Sequence, residues 1–225
     1  MHRRNLRLLG VLLGMTAFLL LPKGSGHGLL TRGVLTLAFI ECLYAISTNR
    51  RLFIIAAVLL LPGLISNWVD KFFPNPLLMG FSLFAQAAFL IYAAALLLGS
   101  VLSSNHRVSS DSILAAVNVY LILGVIWTFF YLMAFQSDPH AFRFANTLPE
   151  APQRADQLTA HISQLAYYSF VTLSTLGYGD VTANASITRL LAVFEALCGQ
   201  LYLVILMAGL VGRHTETKRN PNGEP

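Results

Sequence analysis

The most concentrated chemistry in this sequence lies in nine consecutive residues, Thr172-Leu173-Ser174-Thr175-Leu176-Gly177-Tyr178-Gly179-Asp180, and it is chemistry of the backbone. A small cation leaves water only where other oxygens replace its hydration shell, and rings of peptide carbonyls are able to do this. Along an ordinary strand successive residues face opposite sides. Presenting successive carbonyls to one ion therefore demands unusual dihedrals. Gly177 and Gly179 lack a Cβ and reach positive φ at little cost. The expected ligands are the carbonyls of Thr175, Leu176, Gly177 and Tyr178, with the Thr175 hydroxyl at the inner end and Gly179 completing the strand.

Such a strand has to be held at depth in a bilayer, and the rest of the sequence is built for that. The chain is 56% hydrophobic and 11% charged, with a mean hydropathy of +0.64. A soluble domain carries roughly a quarter of its residues charged. The apolar residues fall in long blocks, the pattern a bilayer core requires. Six blocks stand out, at 6–21, 29–46, 52–69, 77–102, 113–135 and 187–211. The expected fold is all-α and integral to the membrane, with six transmembrane helices. Arg3, Arg4 and Arg7 before the first block resemble the start of a secretory signal. That block is long for a signal and lacks a small-residue cleavage site, so it is read as a retained membrane helix. Ser110 and Asp111 suit the start of the fifth helix.

The net charge of +5 has no clustered basic soluble segment behind it, so no nucleic-acid partner is expected. Lys and Arg concentrate instead on cytoplasmic flanks of membrane helices. Arg3, Arg4, Arg7, Arg50, Arg51, Arg107, Arg213, Lys218 and Arg219 fall on one side. Both termini are accordingly expected in the cytoplasm, in a bacterial inner membrane and in contact with its lipids. The connection 136–186 is different. Its first half, with Pro139, Pro149 and Pro152, reads as an exposed turret, and its second half turns apolar at 162–176. That stretch is too short to cross a bilayer. It is expected to be a re-entrant pore helix, tolerated at membrane depth only where protein or a water-filled cavity surrounds it.

The nine residues are similar to the signature filter of potassium channels, departing from T-V-G-Y-G-D only by Leu176. With the flanking helices the resemblance spans 113–211. It implies a potassium-selective channel subunit conducting K+ passively, with K+ held at Thr175, Leu176, Gly177 and Tyr178. It also implies four copies around one axis, a closed cyclic homotetramer. The Tyr178 ring is then expected to turn away from the ion and pack against the pore helix. Asp180 gathers cations and anchors the outer turn, and Thr172 supports the strand. The negative end of the pore-helix dipole faces the ion path. Tyr167 and Tyr168 stand where many relatives carry a Trp pair, and the Tyr168 hydroxyl is the expected partner of Asp180. Val171 stands where some bacterial relatives pair a glutamate with the filter aspartate, so that pairing does not transfer.

In the sixth helix, Gly199 falls where inner helices of this family commonly bend, and close helix packing is the alternative reading of that glycine. One face of the helix presents Gln200, Leu203, Met207 and Val211 to the expected cavity, and rings of Met207 and Val211 form a candidate gate by dewetting. Glu41 and Glu195 lie inside membrane helices, where ionisable groups are paired or functional. Glu195 is expected to reach a hydroxyl at the pore helix or to remain protonated; Glu41 has no evident partner. Cys42 and Cys198 are read as packing residues. The fourth block holds no Lys or Arg, so an arginine-rich voltage sensor is not expected.

The expected organisation is a four-helix region at 1–111, a pore domain at 112–212 and a short cytoplasmic tail at 213–225, too short for a ligand-binding domain. No cofactor is expected beyond the permeant K+. An enzyme is not expected, since His2, His27, His106, His140, His161 and His214 have no partners at motif spacing. A transporter would show a repeated half. A weakly selective monovalent cation channel and a non-conducting modulatory subunit stay open as alternatives.

Overall fold

The computed structural model describes residues 2–20, 28–46, 49–102, 110–145 and 154–219. In chain order its elements are α1 (His2–Leu20), α2 (Gly28–Ile46), α3 (Arg50–Phe72), α4 (Pro76–Leu102), α5 (Ser110–Ser137), β1 (Phe142–Phe144), α6 (Arg154–Leu173), β2 (Val181–Ala183) and α7 (Ser186–Arg219). The protein is an all-α membrane protein. Among the described residues five helices are long and apolar enough to cross a bilayer: α2, α3, α4, α5 and α7. The first block is the helix α1, with Arg3, Arg4 and Arg7 in its opening turns.

Local signals explain several boundaries. Asn75 caps α4 by accepting the Leu77 N–H at 2.9 Å. Pro76 then occupies the first helical position, where a missing N–H leaves nothing unsatisfied. The fifth helix starts at Ser110, which puts Asp111 inside its first turn. Asp70 lies in the last turn of α3 and is buried. It forms an ion pair with Arg32 of α2 at 3.6 Å and accepts the Asn75 N–H at 3.1 Å. Arg32 also donates to the backbone and side-chain oxygens of Asn67. A charge so placed must be paired, and this pair ties α2 to the end of α3.

α5 is the keel of the molecule. α4, α1, α6 and α7 all pack on it, while α2 and α3 close the outer flank. Over its membrane-length window α5 is 61% buried, whereas α7 is only 11% buried. Ile187, Leu190, Val193, Phe194, Leu197, Leu201, Val204 and Ile205 of α7 are all exposed in the single chain. Cys42 is buried as expected, but Cys198 is exposed on α7.

The turret expectation needs correction. β1 and β2 pair antiparallel, with Phe142 opposite Ala183, Arg143 opposite Thr182 and Phe144 opposite Val181. Ala141 and Phe142 are buried. The physical reason is that the Phe-Arg-Phe strand pairs with β2, so its backbone is satisfied without solvent. The rest of the turret expectation, at 146–153, lies outside the described residues.

Replacing Asp70 by Ala should lower stability by about 3 kcal/mol, because it leaves Arg32 without its carboxylate. Thermal unfolding in detergent measures this, and Asp70→Asn should lose less because it still accepts the Asn75 N–H.

Candidate functional site

The residues singled out by spacing sit where α6 ends and the chain turns outward. α6 stops at Leu173. The Leu176 N–H donates to the Val171 carbonyl and the Thr175 N–H to the Thr172 carbonyl, both at 2.9 Å. This pair of bonds is a Schellman closure, which needs a left-handed residue just past the helix end. That residue is Thr175, at φ 59. Glycine is usual there, and a β-branched side chain costs about 1–2 kcal/mol in that conformation. Gly177 at φ 57 and Gly179 at φ 80 continue the pattern at every second residue. A Cβ on either glycine would meet nothing within 4 Å. Their need is for the dihedral, not for space.

Alternation in the sign of φ from 175 to 179 breaks the pleat of a normal strand. That is the backbone condition for successive carbonyls to share a side. Thr175, Leu176, Gly177, Tyr178, Gly179 and Asp180 are all exposed in the single chain. Among the described residues, the backbones of Gly177, Tyr178 and Gly179 have no hydrogen-bond partner in their own chain. Tyr178 is 68% exposed in the single chain. One chain has no wall on that side of the strand.

The outer end is anchored three ways. The Asp180 carbonyl accepts the Ala145 N–H at 2.8 Å, and its carboxylate accepts the Val181 N–H at 3.1 Å. The third tie is the Tyr167 hydroxyl, which is hydrogen-bonded to the Asp180 side chain. Tyr168, the expected partner of Asp180, is engaged elsewhere. Its hydroxyl bonds to the Thr172 side chain and the Ala183 backbone. Its ring packs edge-on against Tyr131 at 5.0 Å and Phe142 at 5.5 Å. Tyr168 faces inward and Tyr167 outward because adjacent residues on a helix point about 100° apart. Val171 is buried and contributes its carbonyl to the closure rather than a side chain to Asp180.

Behind the strand lies a buried polar node that spacing alone did not resolve. The Tyr131 hydroxyl of α5 meets Oε2 of Glu195, and the Ser169 hydroxyl of α6 meets Oε1, each at 2.5 Å. Ser169 also reaches the Gly124 carbonyl at 2.7 Å. The expectation that Glu195 finds a hydroxyl on the pore helix is met by Ser169. Tyr131, Phe142 and Gly124 gave no signal in the sequence, since aromatic and glycine residues are common in apolar helices. Glu41 stands half-buried on α2.

α7 is held by Tyr202, whose hydroxyl donates to the Ala116 carbonyl of α5 at 2.5 Å. α7 is helical straight through Gly199, and a Cβ there would overlap the Leu173 carbonyl at the end of α6. The glycine therefore serves close packing of α7 against the end of α6. Gln200 and Leu203 are exposed on the uncovered face. Met207 and Val211 lie within α7, but their side chains fall outside the described residues.

An apolar helical frame that carries an open backbone strand of this composition defines an ion channel. The ion channel family profile matches residues 113–215. Over 131 residues the chain is 30% identical to Protein LctB of Geobacillus stearothermophilus, covering 55% of this chain and 93% of that one. To Protein LctB of Bacillus caldotenax it is 33% identical over 133 residues, with the same coverage. A 45-residue stretch is 40% identical to two-pore potassium channel 2 of Arabidopsis thaliana, which is 20% of this chain and 10% of that protein. No solved structure matches the chain. The chain belongs to the potassium channel family of pore-loop ion channels, and it is a transport protein rather than an enzyme.

Gly199→Val should force α7 away from Leu173 and lower stability by about 1–3 kcal/mol, the range for overpacking a tight contact. Thermal unfolding of the purified variant measures the loss, and Gly199→Ala should fall between it and the wild type.

Proposed function

We propose that four copies of this chain form one potassium-selective pore and conduct K+ passively down its gradient. The observation that carries this reading is the strand 175–179, with left-handed residues at Thr175, Gly177 and Gly179 and, among the described residues, no partner for its central backbone. In the proposed assembly the carbonyls of Thr175, Leu176, Gly177 and Tyr178, with the Thr175 hydroxyl, replace the water around K+. Four copies supply the oxygens that one chain lacks. The exposed Tyr178 ring and the uncovered face of α7 then find their cover in neighbouring copies. Asp180, steadied by Tyr167, places a negative charge at the outer mouth and raises the local cation concentration.

The same reading makes α6 a re-entrant pore helix and α1 a sixth span, with both termini on the cytoplasmic side of a bacterial inner membrane. Residues 1–111 then form a collar, 112–212 the pore domain and 213–225 a cytoplasmic tail. Gln200 and Leu203 line the inner cavity, with Met207 and Val211 as its narrow end. Similarity to two-pore potassium channels of Arabidopsis thaliana supports K+ as the permeant ion.

Purified protein in liposomes should release K+ and Rb+ readily, exclude Na+ and be blocked by Ba2+. A reversal potential that ignores the K+ to Na+ ratio would remove the selectivity from this reading. Gly177→Ala should abolish the flux while the protein still inserts, because the added Cβ opposes φ 57 by about 1–2 kcal/mol at each of four sites.

A further inference from the structure

Glu195, Tyr131 and Ser169 are each fully buried, and they meet where α5, α6 and α7 converge behind the filter strand. Three oxygen–oxygen contacts join them. Tyr131 lies 2.5 Å from Oε2, Ser169 lies 2.5 Å from Oε1, and Ser169 lies 2.7 Å from the Gly124 carbonyl. Each contact needs a proton between its two oxygens, since two bare oxygens at such distances repel. A tyrosine and a serine hydroxyl own one proton each, and a carbonyl owns none. Two protons leave Ser169 to split one proton between the Glu195 carboxyl and the Gly124 carbonyl, a weak three-centre arrangement. A third proton on Glu195 gives each contact a proton of its own.

The surroundings agree with the count. The groups facing the carboxyl are hydroxyls, with Tyr168 and Tyr120 further out, and none of these carries positive charge. An ionised carboxylate in such a place would be desolvated without a counter-ion. A carboxylic acid, by contrast, accepts from Tyr131 on one oxygen and donates to Ser169 from the other. Ser169 is then free to pass its own proton to Gly124, whose carbonyl also accepts the Thr128 hydroxyl at 2.8 Å.

We propose that Glu195 is held as a neutral carboxylic acid whose proton closes a chain of hydrogen bonds from α7 through α6 to α5, fixing the pore helix behind the filter. Glu195 is thus a positioning residue, acting on the strand through Ser169, which lies one turn before the Schellman closure at 171–176. Its position rests on the channel reading above only for its effect on ion flow. The proton count itself does not depend on that reading.

Two readouts separate these claims. Infrared spectra of the protein in vesicles at neutral pH should contain the C=O stretch of a buried carboxylic acid that disappears in Glu195→Gln. Loss of carboxylate bands instead, with no acid band, overturns the proposal. In Ser169→Ala the acid band should persist but shift to higher frequency, because the acid loses its acceptor; an unmoved band counts against the clamp. Flux is the second readout. Glu195→Gln keeps a donor group and an acceptor oxygen on the same two branches without charge, so it should retain flux and selectivity, while Glu195→Ala should lose them. Equal loss in both variants overturns the proposal. If the wild type conducts nothing, the channel reading fails, and the infrared band still decides the state of Glu195.

Discussion

Among the described residues, the three consecutive backbones of Gly177, Tyr178 and Gly179 bond to nothing in their own chain, and the strand is held at both ends. Unpartnered peptide groups at membrane depth are very unfavourable unless something else satisfies them. A strand in this position would collapse onto the nearest donor if its ends were loose. Both ends are therefore tied. The Schellman closure holds the inner end, and the β1–β2 ribbon with Tyr167 and Asp180 holds the outer one.

The inner tie places a left-handed threonine where a glycine is ordinarily found. It serves two purposes at once. It ends α6, and it begins the alternation of φ that Gly177 and Gly179 continue. The strain at Thr175 is offset by two backbone hydrogen bonds and by the packed base beneath, where Leu173 lies against Gly199. Small residues make this base possible. Gly199 lets α7 approach the end of α6, and Gly124 leaves room for the Phe170 ring.

The burial pattern assigns a division of labour. α5 takes the central position, with α1, α4, α6 and α7 packed on it and α2 and α3 reaching it through α1 and α4. The Arg32–Asp70 pair staples that flank at one end, and the Asn5–Asn118 contact joins α1 to α5 elsewhere. α7, in contrast, leaves almost its whole apolar surface open. Apolar surface on that scale is satisfied by lipid or by further protein.

Local features of this protein were legible in the residue order alone. Block length and low charge marked the membrane helices, and two glycines separated by one residue marked the strand that needs positive φ, because these properties belong to a few neighbouring residues. Other features depended on residues distant in sequence. Glu195 meets Tyr131 across 64 positions and Ser169 across 26, and no spacing rule links them. The choice of Tyr167 over Tyr168 for Asp180 turned on which ring the aromatic cluster of Tyr131 and Phe142 claimed. Gly199 looked equally suited to a bend or a close contact until the Leu173 carbonyl was found against it. Residue order determined which groups were available, and only packing in three dimensions decided which of them met, because burial satisfies each polar group with whatever partner the fold brings within reach.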